Sequence, residues 1–332
     1  MSLGVYFDGF SSTQEMLEVA RAAEEAGAES LWFAQHMGFR EAVVWATAAA
    51  SVTRTVRLVP TAISPYLWPP LPVAMSMSTL AEFAGPRVAL AVSVGNILNL
   101  GESGVEPVKP VRVMREYVQN LRALWAGEPV HFEGEVHHLR GAKMMFERGT
   151  QCPLYVASTG PQVLKLAGQI GDGVLLSAAL TLESIRRMLE PVAAGVSAAG
   201  RDPRSVRKAG FILLSIAEDG GVARQEMLRK LAYIFRSKGH AANIATANLG
   251  IDHQAIIGCF ARHDPEAAVG YLPEKAATTF AVAGTPAECR AQLAAYLTAG
   301  LDEPIVEVTG TPQQRRLALE VIREVCRDRG RR

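Results

Sequence analysis

Eight short apolar runs recur along this chain, and each is nearly continuous rather than alternating. They lie at Leu3–Phe7, Ser30–Ala34, Val56–Thr61, Val88–Val94, Pro153–Ser158, Gly173–Ser177, Gly210–Ala217 and Pro304–Thr309. A strand with one wet face alternates apolar and polar residues. A strand that is apolar throughout is buried on both faces, as parallel strands under helices are. Between the runs lie helical segments with clear punctuation. Ser12 precedes Glu15 by three, a capping box; Met16, Ala20 and Ala23 then form a stripe, and Gly27 ends it. Thr285-Pro286-Ala287-Glu288 repeats the device with proline at the first helical position. Leu293 and Leu297 follow it, and Gly300 stops the helix. Strands alternating with helices in this way predict an α/β fold, a closed (β/α)8 TIM barrel, with an open doubly wound sheet as the alternative.

One segment departs from the rhythm. Residues 220–279 contain no strand-like run, and Met227, Leu231 and Phe235 stripe a helix opposite Arg224, Arg229 and Lys230. The expectation is a helical insertion after strand seven, within one barrel domain spanning residues 1–332. Extra barrel packing and a lid over the strand ends are both compatible with it.

The 332 residues suit one barrel with an insertion, and 49% hydrophobic residues against 20% charged can fill a large core. A formal net charge of +1 gives no general attraction to nucleic acid or to an acidic membrane. The basic end, Arg327, Arg329, Arg331 and Arg332, reads as a solvated terminus. No signal-peptide pattern and no run of roughly 20 apolar residues is found, so a cytoplasmic protein with no membrane partner is expected. Cys152, Cys259, Cys289 and Cys326 are too scattered for a zinc knuckle or a CxxC pair, which predicts reduced thiols. Nothing has metal-ligand spacing such as HExxH. A phosphate loop GxxxxGK[ST] and a GxGxxG after strand one are also missing.

In a barrel of this class the active site is assembled from the loops at the C-terminal ends of the strands. Those ends here are small or polar: Asp8-Gly9, Gln35-His36, Thr61-Ala62-Ile63-Ser64, Ser93-Val94-Gly95-Asn96, Ser158-Thr159-Gly160-Pro161-Gln162 and Ser177-Ala178-Ala179. Such a rim suits a small-molecule ligand. His36 is the sharpest candidate, because an imidazole beside a reacting ring exchanges protons near neutral pH. The alternative is a histidine hydrogen-bonded into the rim. His131, His137 and His138 cluster around Gly134 and read as a solvated turn. Gly160-Pro161-Gln162 opens a helix, whose free N–H groups could receive a phosphate or belong to a plain capping turn.

Several stretches together resemble the luciferase-like monooxygenase superfamily, which contains flavin and deazaflavin enzymes. They are Ser30-Leu31-Trp32-Phe33-Ala34-Gln35-His36; Pro72 to Leu80 with Gly85-Pro86-Arg87; Met114-Arg115-Glu116 with Leu121 to Glu128; and Pro153–Ser158 with Gly160-Pro161. Leu166 to Val174 completes the set. Lys109-Pro110, Gly141-Ala142-Lys143 and Gln169 to Leu176 are similar to the methylenetetrahydromethanopterin reductase branch in particular.

The resemblance implies a bacterial luciferase-like barrel and a homodimer, the latter consistent with the apolar third helix carrying Val73, Met75, Met77 and Leu80. It implies coenzyme F420 as cofactor, with hydride transfer between the deazaflavin C5 and a carbon of a small organic or pterin-type substrate. The alternative cofactor is FMN, with reduced flavin activating oxygen, and a non-catalytic flavin-binding protein is a third possibility. A non-proline cis peptide is implied at Ala62-Ile63 or one bond away. Ala62, Ile63, Ser64, Val94 and Asn96 would border the ring. Gly160, Pro161, Gln162, Ser177 and Ala178 would hold the phosphate or tail. His36 is expected to carry the proton chemistry, and Asp8 to orient it or share the role. In two places the chain departs from the reductases: Tyr6 and Asn96 stand where acidic residues are expected, which puts a pterin substrate in question.

Overall fold

The strands form where both faces are apolar, and they close into a cylinder. In the computed structural model, which describes residues 3–146, 152–177 and 179–329, the barrel strands are β1 (Gly4–Phe7), β2 (Ser30–Ala34), β3 (Arg57–Thr61), β4 (Leu90–Ser93), β5 (Leu154–Ala157), β6 (Gly173–Leu176), β7 (Arg207–Ile212) and β8 (Glu303–Glu307). All pair in parallel in the order β3-β2-β1-β8-β7-β6-β5-β4. Bridges Leu58–Val88 and Ile63–Val92 join β3 to β4 and complete the ring. This is the closed barrel rather than the open sheet.

Alternation of side chains along each strand divides the residues into two sets. Leu31, Phe33, Leu58, Leu90, Val92, Leu154, Val156 and Val306 face outward into the layer between barrel and helices. Trp32, Val59, Ala89, Ala91, Tyr155, Ala157, Leu175, Ala209 and Ile305 fill the interior. The outer shell includes α1 (Thr13–Glu25), α2 (Ala42–Val52), α3 (Pro70–Ala84), α4 (Ile97–Glu102), α5 (Pro110–Ala126), α6 (Pro161–Ile170) and α7 (Leu182–Ala198). The helices α6 and α7 cross at Gly168 and Gly195. A Cβ on Gly168 would come 2.1 Å from the Val192 carbonyl oxygen, and one on Gly195 would come 2.0 Å from that of Lys165. Only glycine permits that approach, and it fixes where α6 begins.

The N-terminal end of the barrel is closed by a buried ionic plug. Glu303 is 0% exposed and faces both Arg207, with Nε at 2.6 Å, and Arg57 at 3.5 Å. The Ser30 hydroxyl donates to it at short range, and the Trp32 indole N–H donates at 3.3 Å. Two residues of the quoted motifs have similar structural work. Arg87 donates to Ala84, Thr53, Val56 and Ala50, tying α3 to the end of α2 and the start of β3. Asp172 accepts from the Leu154 amide and from Arg122.

After β7 come α8 (Gly220–Phe235), α9 (Ala241–Ala247), α10 (His253–Ala261), α11 (Pro265–Val269) and α12 (Ala276–Thr279); α13 (Pro286–Thr298) precedes β8 and α14 (Pro312–Arg329) follows it. These helices have their own apolar cluster, including Met227, Leu231, Phe235, Ile256 and Phe280, which reaches the barrel end through Ala179 and Leu213. Both expected capping boxes, Ser12 with Glu15 and Thr285 with Glu288, are present.

Several expectations need correction. The run Gly210–Ala217 is two elements: β7 ends at Ile212, and Leu214–Ile216 leaves the barrel to pair in parallel with Val282–Gly284. Of the third-helix residues, Val73, Met77 and Leu80 are buried in the chain's own core, and only Met75 is exposed. The exposed apolar side chains on that flank are Val44, Met75 and Phe83. His137 is not solvated: it is half-buried, its Nε2 has no hydrogen-bond partner among the described residues, and burial lowers its pKa. Lys230 does not lie on a solvated helix face but turns inward to Glu307. Ala178, Arg331 and Arg332 lie outside the described residues. Among the described residues no helix is long and apolar enough to cross a membrane.

Candidate active site at the barrel mouth

At the C-terminal end of the barrel the inward positions fall into two halves. Strands β2 to β6 end in small side chains: Ala34, Ala62 just past β3, Ser93, Ala157 and Ser177. On β7, β8 and β1 the mouth carries large or ionisable groups: Phe211, Glu307, Tyr6 and Asp8. The first half leaves room for a flat ligand, and the second supplies functional groups beside it.

His36 follows β2 and is half-buried. Its Nδ1 lies 2.8 Å from the main-chain oxygen of Asp8. A carbonyl can only accept, so Nδ1 carries the proton and Nε2 is left as the acceptor in the neutral ring. The backbone around it is pinned by neighbours: the Gln35 amide donates to the Thr61 oxygen at 2.6 Å, and the Gln35 side chain receives the Ala42 amide at the start of α2. Two aromatic rings flank the imidazole. Phe10 lies 6.0 Å from it and 4.4 Å from Phe39 between centroids, and both phenyl groups are about half exposed (50% and 51%).

After β3 the peptide bond Thr61-Ala62 is cis, one bond before the expected position. Ala62 faces the barrel interior, whereas Ile63 turns its side chain into the outer core and leaves only its backbone toward the mouth. Ser64 donates from Oγ to the Val94 oxygen at 2.7 Å, so two of the expected cofactor residues are tied together. Gly95 has φ +103, and a Cβ there would press on Ser64 at 3.2 Å. Asn96 is exposed, and its side chain accepts from the Leu98 amide at the start of α4. That use occupies its oxygen but leaves its amide NH2 available. The Thr61 hydroxyl is buried at the rim without a hydrogen-bond partner among the described residues.

After β5, Gly160 precedes α6 with no side-chain cap. Ser158 Oγ receives the Gly160 amide at 3.0 Å, while Pro161 and Gln162 are exposed in the first turn. The positive end of α6 is therefore presented to the mouth, uncapped. Ser177, at the end of β6, is half-buried.

Sequence reasoning missed Glu307 and Lys230. Glu307 is 2% exposed at the end of β8, with its Cα paired to that of Tyr6. The Lys230 ammonium, from α8, forms a short ion pair with it. Burial pushes the Glu307 carboxyl above the usual carboxylate range; Lys230 opposes the rise, and the adjoining Asp8 carboxyl adds to it. Burial, then the charges of Glu307 and Asp8, hold the Tyr6 phenol well above its ordinary range, so it stays neutral. A lone carboxylate inside the apolar run Pro304–Thr309 was the available signal. Nothing in sequence spacing pairs it with Lys230.

A model of one protein family matches residues 5–303. The chain belongs to the luciferase-like monooxygenase family. Within it, the chain is 28% identical to the 5,10-methylenetetrahydromethanopterin reductase of Methanolobus tindarius over 316 residues, 94% of each protein. It is 29% identical to the F420-dependent glucose-6-phosphate dehydrogenase of Mycolicibacterium gilvum over 322 residues, covering 92% of this chain and 91% of that one. The coenzyme F420 dependent tetrahydromethanopterin reductase from Methanopyrus kandleri superposes with a TM-score of 0.88 at 23% identity, with 97% of both chains covered. As a luciferase-like chain it keeps a single barrel mouth with His36, the uncapped α6 and the cis peptide grouped around it.

Proposed function

We propose that this protein is an F420-dependent oxidoreductase that exchanges a hydride with a small organic substrate at the barrel mouth. The observation that carries the reading is the division of that mouth: small walls on β2–β6 beside a histidine whose Nε2 is left as its acceptor. The named activities of similar full-length proteins support the choice of cofactor.

The residues fit such a group. Ala34, Ala62 and Ala157 leave space for a planar ring, and the partnerless Thr61 hydroxyl offers a polar contact at its edge. Gly160, Pro161 and Gln162 present free N–H groups to a phosphate, with Ser177 nearby in the rim. Ser64, Val94, Asn96 and the backbone of Ile63 would border the ring. The bound deazaflavin would supply or accept the hydride. The chain's own contribution is to hold substrate in reach of His36, whose Nε2 takes a proton from, or returns one to, the substrate heteroatom. Phe10 and Phe39 cover the imidazole and exclude water from one side.

A pterin is not required by this site, since Tyr6 and Asn96 replace carboxylates of the reductases. A dimer through the flank carrying Val44, Met75 and Phe83 is part of the proposal. Titration of the full chain with F420 and, separately, FMN tests the cofactor by fluorescence quenching. Saturable binding of F420 in preference to FMN is expected. The opposite preference, with reduced flavin consuming oxygen, would replace this reading with a monooxygenase.

A further inference from the structure

Behind the mouth, between α8, the strand Leu214–Ile216 and α14, lies a polar cavity of about 150 Å³. Glu307 and Lys230 form part of its wall. On its far side Glu226 accepts from Ser215 Oγ at 3.1 Å and from Gln314 Nε2 at 2.7 Å. Glu307 thus separates two spaces: the cavity on one side, and on the other Asp8, whose carboxyl meets its own. Asp8 in turn faces the mouth, and its main-chain oxygen holds His36.

Two carboxyls in hydrogen-bond contact cannot both be ionised without strong repulsion, so such a pair keeps one proton. The charge that remains is a single negative one, and Lys230 balances it. Tyr6 does not compete for the proton, because it is buried against Phe211 and stays neutral. Glu226, the other carboxylate of α8 facing the cavity, is occupied by Ser215 and Gln314.

We propose that Asp8 and Glu307 share one proton, neutralised by Lys230, and that this pair is the proton store of the barrel mouth, refilled through the cavity. The role in turnover rests on the oxidoreductase reading; the shared proton does not. In the reductive direction a reduced deazaflavin gives up a hydride, and the substrate C=X gains it on carbon. X gains one proton at the mouth. The pair yields a proton through Asp8 to replace it and recovers one from solvent by way of the cavity. Atoms and charge balance, with one hydride and one proton consumed per substrate. Glu307 is then a positioning residue that acts through Asp8.

Infrared titration of the full-length protein without cofactor tests the shared proton. A protonated carboxylic acid band is expected to persist well above the pH at which ordinary carboxyls ionise, and to vanish in both Glu307→Gln and Asp8→Asn. Lys230→Met should hold the band to still higher pH, because removing the cation favours the protonated pair. No such band near neutral pH in the wild type, or a band unmoved by all three substitutions, overturns the proposal. With F420 and a turned-over substrate, Glu307→Gln should lower kcat about tenfold or more and reshape its pH profile while leaving F420 affinity within about twofold. An unchanged pH profile overturns the proton-store role. Absence of F420 binding in the wild type counts against the oxidoreductase reading alone, and the infrared result still decides the pair.

Discussion

The imidazole of His36 is held by the main-chain oxygen of Asp8 at 2.8 Å, so one residue of β1's loop sets the tautomer of the histidine that ends β2's. Because the partner is a backbone carbonyl, this orientation survives substitution of the Asp8 side chain. Orientation of His36 and the protonation of Asp8 can therefore be separated experimentally.

His36→Ala should reduce turnover with F420 by about 10²–10⁴, the usual worth of general acid–base assistance, with cofactor affinity nearly unchanged. Steady-state kinetics alongside cofactor titration checks this. Joint loss of binding and turnover would make His36 a packing residue instead.

Gln162→Glu places a negative charge in the first turn of α6. That turn is favourable for a carboxylate in the empty protein but repels a phosphate brought to the same N–H groups. F420 affinity should fall several-fold, and the defect should shrink as salt is added, since the side chain is exposed. Equal affinity at low salt would remove α6 from the cofactor site.

Glu303→Gln should destabilise the fold by about 3–5 kcal/mol, because Arg57 and Arg207 would face each other without the buried carboxylate between them. Chemical denaturation measures the loss. Activity per folded molecule should be retained, since the plug lies at the opposite end of the barrel from His36.

The Glu116 carboxylate receives the main-chain N–H groups of Glu135, Val136 and His137 in the hairpin turn. Burial by itself would raise its pKa, but these donors and His137 lower it overall. A depressed folded-state pKa means the stabilisation is present above the ordinary glutamate range, near 4.3, and is lost as pH falls through the lowered value. Glu116→Gln should cost about 1–3 kcal/mol at neutral pH, and the difference from wild type should narrow in acid. A difference constant from neutral pH to acid would show that the charge is not what holds the turn.

By itself the sequence determined the barrel. Runs such as Ser30–Ala34 are apolar on both faces, and that pattern has few solutions other than parallel strands beneath helices. The local helix starts at Ser12 and Thr285 were equally readable, because a capping box is satisfied within four consecutive residues. The mouth residues His36, Ser64 and Gly160 were found because strand ends converge in any such barrel.

Only the tertiary structure decided which of those residues meet and which way they face. Ile63 and Ala62 are neighbours in sequence, yet one faces the outer core and the other the barrel, since adjacent residues at a strand end point to opposite sides. Gly210–Ala217 read as one strand, because apolar composition does not record the point at which a chain stops pairing with one neighbour and starts with another. Lys230 reads as a surface lysine on an amphipathic helix until α8 is docked, and Glu307 lies 77 residues away from it. An ion pair between such distant positions depends on how two elements pack, and that is set by the whole core rather than by spacing along the chain.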